Sequence, residues 1–140
     1  MANKKRVMIV DDDPDIRLSV KQILENSGYK VYSFENGREC MRALNESKKR
    51  PSLIILDIMM PEMSGWEIHR QLDSNPNLCE IPIVFLTGRT NETAKEMYNR
   101  YGTEYIKKPF NIKDFKDCIN RIIKSKNKDI FNREKMNYCS

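Results

Sequence analysis

Leu53-Ile54-Ile55-Leu56-Asp57 decides the fold: four consecutive apolar residues closed by an acid. A surface helix spaces its apolar residues three and four apart. A short unbroken run instead fits a strand buried on both faces, as in a parallel sheet. Residues 81–86 repeat the pattern and end at Leu86 before Thr87. Residues 6–10 form a shorter apolar run stopped by Asp11-Asp12-Asp13. Residues 30–34 are rich in β-formers, and 103–106 make a fifth candidate. Helical patterns lie between these runs. Ile16, Val20, Ile23 and Leu24 recur at helical spacing and Gly28 closes that helix. Cys40, Met41 and Leu44 mark a second helix, and Trp66, Ile68 and Leu72 a third. Residues 92–100 suggest a fourth. Phe115, Cys118, Ile119, Ile122 and Ile123 draw a fifth amphipathic stripe. Five strands alternating with helices predict an α/β fold: a five-stranded parallel sheet, doubly wound in the flavodoxin-like order 2-1-3-4-5, with helices on both faces.

The 140 residues provide one domain, expected over 1–124, and a basic polar tail or linker stub over 125–140, expected to fray. Hydrophobic residues at 39% and charged residues at 32% support a packed core and exclude wholesale disorder. No apolar run approaches the roughly 20 residues of a membrane span, and no signal-peptide pattern opens the chain. The expectation is a cytoplasmic protein without a membrane role. The net charge of +5 is shared between the tail from Lys124, at +3, and the remainder, at +2, so the basic balance gives no ground for direct nucleic-acid binding. Cysteines at 40, 79, 118 and 139 lack metal or redox spacing, and the single His69 cannot complete a metal set. They read as free thiols.

The chemistry follows from where the acids fall. An open α/β sheet binds ligands beyond the carboxyl ends of its strands, where the strand order reverses. Here that point lies between strands one and three, which end in Asp11-Asp12-Asp13 and in Asp57. Asp13 before Pro14 reads as a helix cap, which leaves Asp11 and Asp12 without a structural task. Carboxylates crowded together repel unless a cation separates them. Oxygen ligands without nearby His or Cys favour Mg2+, with Mn2+ as the alternative. Strand four ends in Thr87, a hydroxyl donor, and strand five leads to Lys107-Lys108-Pro109-Phe110. Acids, hydroxyl and lysine at one sheet edge make a phosphoryl-binding set, with Asp57 as the nucleophile.

Met8-Ile9-Val10-Asp11-Asp12-Asp13, the run from Leu56-Asp57 through Pro61 to Ser64-Gly65, Phe85-Leu86-Thr87 and Tyr105-Ile106-Lys107-Lys108-Pro109-Phe110 together resemble the response-regulator receiver domain of two-component signalling. The resemblance spans about residues 5–124. It implies that Asp57 accepts a phosphoryl group from a phosphohistidine of a sensor histidine kinase or phosphotransfer protein. It implies that Asp11, Asp12, Asp57 and the Met59 main-chain carbonyl hold Mg2+. It implies that Thr87 and Lys108 contact the phosphoryl oxygens, that Tyr105 is an aromatic switch, and that Lys108-Pro109 is a cis peptide.

Phosphorylation adds about −1.5 to −2 of charge. On this reading Thr87 is drawn toward it, Tyr105 fills the vacated space, and the face of the fourth helix, fifth strand and fifth helix changes. That face would control a downstream protein partner and carry a homodimer. The domain would catalyse only its own phosphoryl uptake and loss.

Three departures accompany the resemblance. Ser64 stands where the family often has Asp, Tyr101-Gly102-Thr103-Glu104 replaces a commoner run, and Met59 and Arg89 flank the site. Rival readings are weaker. A haloacid-dehalogenase-like phosphatase usually carries a second Asp where Met59 stands. A flavin or dinucleotide binder would need a glycine-rich first turn in place of Asp11-Asp12-Asp13-Pro14-Asp15. A scaffold with a dead site does not explain the full residue set.

Overall fold

The computed structural model describes residues 4–88, Glu96 and 104–136, with side chains through Ser125. Five strands form one sheet: β1 (Arg6–Val10), β2 (Lys30–Phe34), β3 (Leu53–Asp57), β4 (Ile83–Thr87) and β5 (Glu104–Lys107). All pair in parallel, in the order β2-β1-β3-β4-β5 expected from the sequence. The helices that run from end to end among the described residues are α1 (Pro14–Asn26), α2 (Gly37–Glu46), α3 (Gly65–Asp73) and α4 (Ile112–Met136). The last corresponds to the fifth amphipathic stripe and runs on to Met136. The fourth helical pattern, residues 92–100, lies outside the described residues except for Glu96, as do Arg89 and residues 101–103.

Each helix begins where a side chain can satisfy the first free amides. Asp13 accepts from the Asp15 N–H, Asn36 from Glu39, Ser64 from Glu67, and Asn111 from Lys113 and Asp114. Ser64 thus does the capping work available to Asp at that position. α1 ends in a left-handed turn at Gly28, whose φ is +96°. The Gly28 N–H donates to the Glu25 carbonyl and the Tyr29 N–H to that of Leu24, the paired bonds that close a helix around such a glycine. Arg50 closes α2 from outside, donating to the carbonyls of Leu44 and Ser47 at 2.7 Å each.

The sheet separates two cores. Val7, Ile9, Leu53, Ile55, Val84 and Leu86 face α1 and α4, where Val20, Leu24, Phe115 and Ile119 cover them. Met8, Val10, Ile54, Leu56 and Phe85 face α2 and α3, against Cys40, Leu44, Ile68 and Leu72. Alternate side chains of each central strand therefore serve opposite layers, and every residue of β3 is buried. The Cys40 thiol lies in the second core, where desolvation pushes its pKa up to about 12. Cys40 and Cys118 are free. Cys79 is disulfide-bonded, which corrects the expectation of four free thiols. Local spacing tests only neighbouring cysteines and is blind to pairs distant in the chain.

Gly65 sets the approach of α3 to β3. Its N–H donates to the Ile58 carbonyl at 2.9 Å, and a Cβ there would lie 2.4 Å from the Asp57 carbonyl oxygen. The obstacle is backbone and cannot swing aside. Gly65→Ala is expected to cost about 1–3 kcal/mol, read as a lower urea midpoint. An unchanged midpoint would mean that the α3 entry is looser than its contacts indicate.

Candidate functional site at the carboxyl edge of the sheet

Asp11 follows β1 directly. Its N–H donates to the Phe34 carbonyl at 3.1 Å, so the main chain there still belongs to the sheet. The side chain is fully buried. One carboxylate oxygen accepts from the Asp13 N–H at 2.9 Å and the other from Lys108 Nζ at 2.8 Å. Asp57 is the last residue of β3, paired in register with Leu86 and 6% exposed. Its Oδ1 accepts from the Met59 N–H at 3.3 Å, and its Oδ2 lies 3.8 Å from Lys108 Nζ. Asp12 is exposed. Asp11, Asp12 and Asp57 each offer an oxygen within 4.8 Å of the others.

Thr87, the last residue of β4, is buried. Its carbonyl accepts from the Lys108 N–H at 2.7 Å, which ties the ends of β4 and β5 together. Of the two lysines, Lys108 reaches the acids while Lys107 stands in register with Thr87. The Lys108–Pro109 peptide is cis.

Tyr105 lies two residues before Lys107, on the same face of the sheet as Thr87 and Phe85. It is buried, its ring 5.1 Å from Phe85 and 6.2 Å from Trp66. Trp66 in turn lies 4.8 Å from Phe85, and His69 5.6 Å from it. Trp66 therefore belongs to an aromatic stack reaching from α3 to β5, and His69 sits in ring contact at its edge. Met59 is half exposed beside the acids.

Electrostatics single out Asp57. Burial is the largest cause pushing its carboxyl up from 3.8 to about 7, helped by the negative charge of Asp11 and opposed by Lys108 and the Met59 N–H. An acid poised near neutrality is costly to keep charged, so a cation or an added electrophile finds it receptive.

Two contributors escaped the sequence reading. Gly65, though within a quoted motif, acts by letting α3 pass under the Asp57 carbonyl. Arg17 donates from Nη1 to the Asp11 main-chain carbonyl at 2.7 Å. A signal for Arg17 existed: it stands in the first turn of α1, and helical side chains lean back toward the helix start, which here is the acidic loop.

An open parallel sheet with an acid cluster and a lysine at the carboxyl edge of its central strands defines a class of α/β ligand-binding and switching domains. Comparison narrows it: the profile of the response regulator receiver domain matches residues 7–120, and the chain belongs to that family. It is similar to Protein PilH of Pseudomonas aeruginosa, with 30% identity covering 84% of this chain and 97% of that protein. It is also similar to the transcriptional regulatory protein CrdR of Helicobacter pylori, with 34% identity over 84% of this chain and 54% of that one. The matched segment thus spans about half of the regulator and nearly all of PilH. Among solved structures, the chemotaxis response regulator CheY4 of Vibrio cholerae aligns with a TM-score of 0.74 and 30% identity, covering 86% of this chain and 99% of that one. The family is a signalling domain of two-component systems, working with histidine kinases or phosphotransfer partners, and membership does not favour the phosphatase reading. Among the described residues no helix is long and apolar enough to cross a membrane.

Proposed function

We propose that the chain is a phosphorylation-dependent switch in which Asp57 accepts the phosphoryl group. One observation carries the reading. Three carboxylates converge within 4.8 Å, two of them buried, with the Lys108 ammonium bound to one and beside another. A single lysine leaves that cluster with excess negative charge. The donor set is all oxygen, which fits Mg2+, or Mn2+ in its place. Asp11, Asp12, Asp57 and the Met59 carbonyl would hold the ion. When bound, it neutralises charge on the phosphoryl oxygens.

The chain's own residues do the rest. An Asp57 carboxylate oxygen bonds to phosphorus while the phosphorus–nitrogen bond of the phosphohistidine breaks, and the electron pair leaves with the imidazole nitrogen. Lys108, held by Asp11, faces the incoming oxygens and stabilises their charge. The Thr87 hydroxyl donates to another oxygen of the group. Its movement is relayed along the face that it shares with Phe85 and Tyr105, toward β5 and the helices beside it.

The surface made by the fourth helical segment of the sequence (residues 92–100), β5 and α4 would change in response, control a downstream protein partner and carry a homodimer. The switch occupies residues 1–124, and 125–140 form a basic extension. The upstream donor is a sensor histidine kinase or a phosphotransfer protein in the cytoplasm.

Incubation with acetyl phosphate tests this. Intact mass should rise by one phosphoryl group when Mg2+ is present and should not when the metal is chelated, and the adduct should be labile to alkali as an acyl phosphate. Uptake that ignores the metal, or an alkali-stable ester, would overturn the reading.

A further inference from the structure

Asp11 and Asp57 are each held by more than one contact. Asp11 is pinned by Lys108 and by the Asp13 N–H; Asp57 is buried and accepts from Met59. Asp12 differs. It is exposed, and among the described residues its carboxylate makes no hydrogen bond or ion pair. Two neighbouring carboxylates push it outward. What restrains it is the backbone before it. The Asp11 carbonyl lies in the same rigid peptide plane as the Asp12 N–H, so fixing that carbonyl fixes the direction in which Asp12 departs from the sheet. Arg17 makes that contact, at 2.7 Å, with a planar guanidinium. On the other side, the Asp11 N–H is held by Phe34. The residue is clamped at both ends, one clamp built from β2 and the other from α1.

We infer that Arg17 is a positioning residue for the cation site: by gripping the Asp11 carbonyl it aims the otherwise unsupported Asp12 carboxylate at Asp11 and Asp57. The inference rests on the reading of this cluster as a Mg2+ site.

Its test turns on a sign. A positive charge close to three carboxylates opposes a second cation, so if Arg17 mattered only as charge, its removal would tighten Mg2+ binding. Positioning demands the opposite. Arg17→Met keeps an unbranched apolar stem and removes both donor and charge. It should weaken Mg2+ binding by about tenfold in calorimetric titration, the low end of what losing an orienting partner costs a metal site. Arg17→Lys keeps the charge and exchanges the planar fork for a mobile donor, and should fall about two- to threefold below the unsubstituted protein.

A second readout needs no metal. In chelator, amide exchange of Asp12 and Asp13 should quicken in the Met variant while exchange in β3 is unchanged. Affinity in the Met variant equal to or tighter than that of the unsubstituted protein would overturn the inference. If the Met variant does not fold, an unchanged affinity in the Lys variant would overturn it. Failure of the unsubstituted protein to bind Mg2+ would instead sink the parent reading, so the two failures are told apart.

Discussion

Asp57→Asn should abolish phosphoryl uptake from acetyl phosphate while leaving the chain folded. The substitution keeps the shape of the side chain and its acceptor for the Met59 N–H. It removes the oxygen nucleophile, since a neutral amide does not attack phosphorus at a useful rate. The expected mass spectrum is a single unmodified species under conditions that modify the parent fully. Full uptake by the variant would place the acceptor elsewhere, and mapping of the modified peptide would say where.

The same variant is expected to be the more stable of the two without metal. Burial beside Asp11 makes the charged form of Asp57 expensive, and the amide carries no charge.

That difference should depend on pH, with a definite sign. The folded-state carboxyl is raised to about 7 from an ordinary 3.8, so between about pH 4 and pH 7 the folded chain holds a proton that the unfolded chain has released. Stability contributed by this group is present below pH 4 and is lost as pH rises through 7. In chelator, the melting temperature of the parent should therefore fall relative to Asp57→Asn across that window and level off above it. A gap of several degrees is expected, because about 1 kcal/mol moves the midpoint of a domain this size by about 4 °C. Mg2+ should narrow the gap most at the alkaline end, where the carboxylate is already free of its proton. Parallel melting curves for the two proteins from pH 4 to 7 would mean that Asp57 titrates normally and that its burial is relieved by water.

The sheet was legible because its strands announce themselves twice, by apolar runs and by the acids and turns that stop them. The boundaries were less so, and the error is systematic. The apolar readings of the third, fourth and fifth strands stop at Leu56, Leu86 and Ile106, yet the ladders continue one residue further, to Asp57, Thr87 and Lys107. Hydrophobicity sees only the side chain; the pairing is made by the main chain, which a polar residue serves equally well. The convergence of Asp11, Asp12 and Asp57 followed from topology alone, given the strand order. Contacts made by atoms common to all residues left the faintest trace in the sequence: the Asp11 carbonyl gripped by Arg17, and the Asp57 carbonyl under which Gly65 passes. The aromatic stack from Trp66 through Phe85 to Tyr105 was hidden for another reason. Its members come from three separate elements and share no spacing.

The bond between Lys108 and Asp11 joins residues 97 positions apart. A nascent chain that has delivered only its first four strands already carries every acid of the pocket, but not the ammonium that balances them. The charge balance of the pocket is thus set only once the edge strand has docked, and the site is a product of the finished sheet rather than of any one strand.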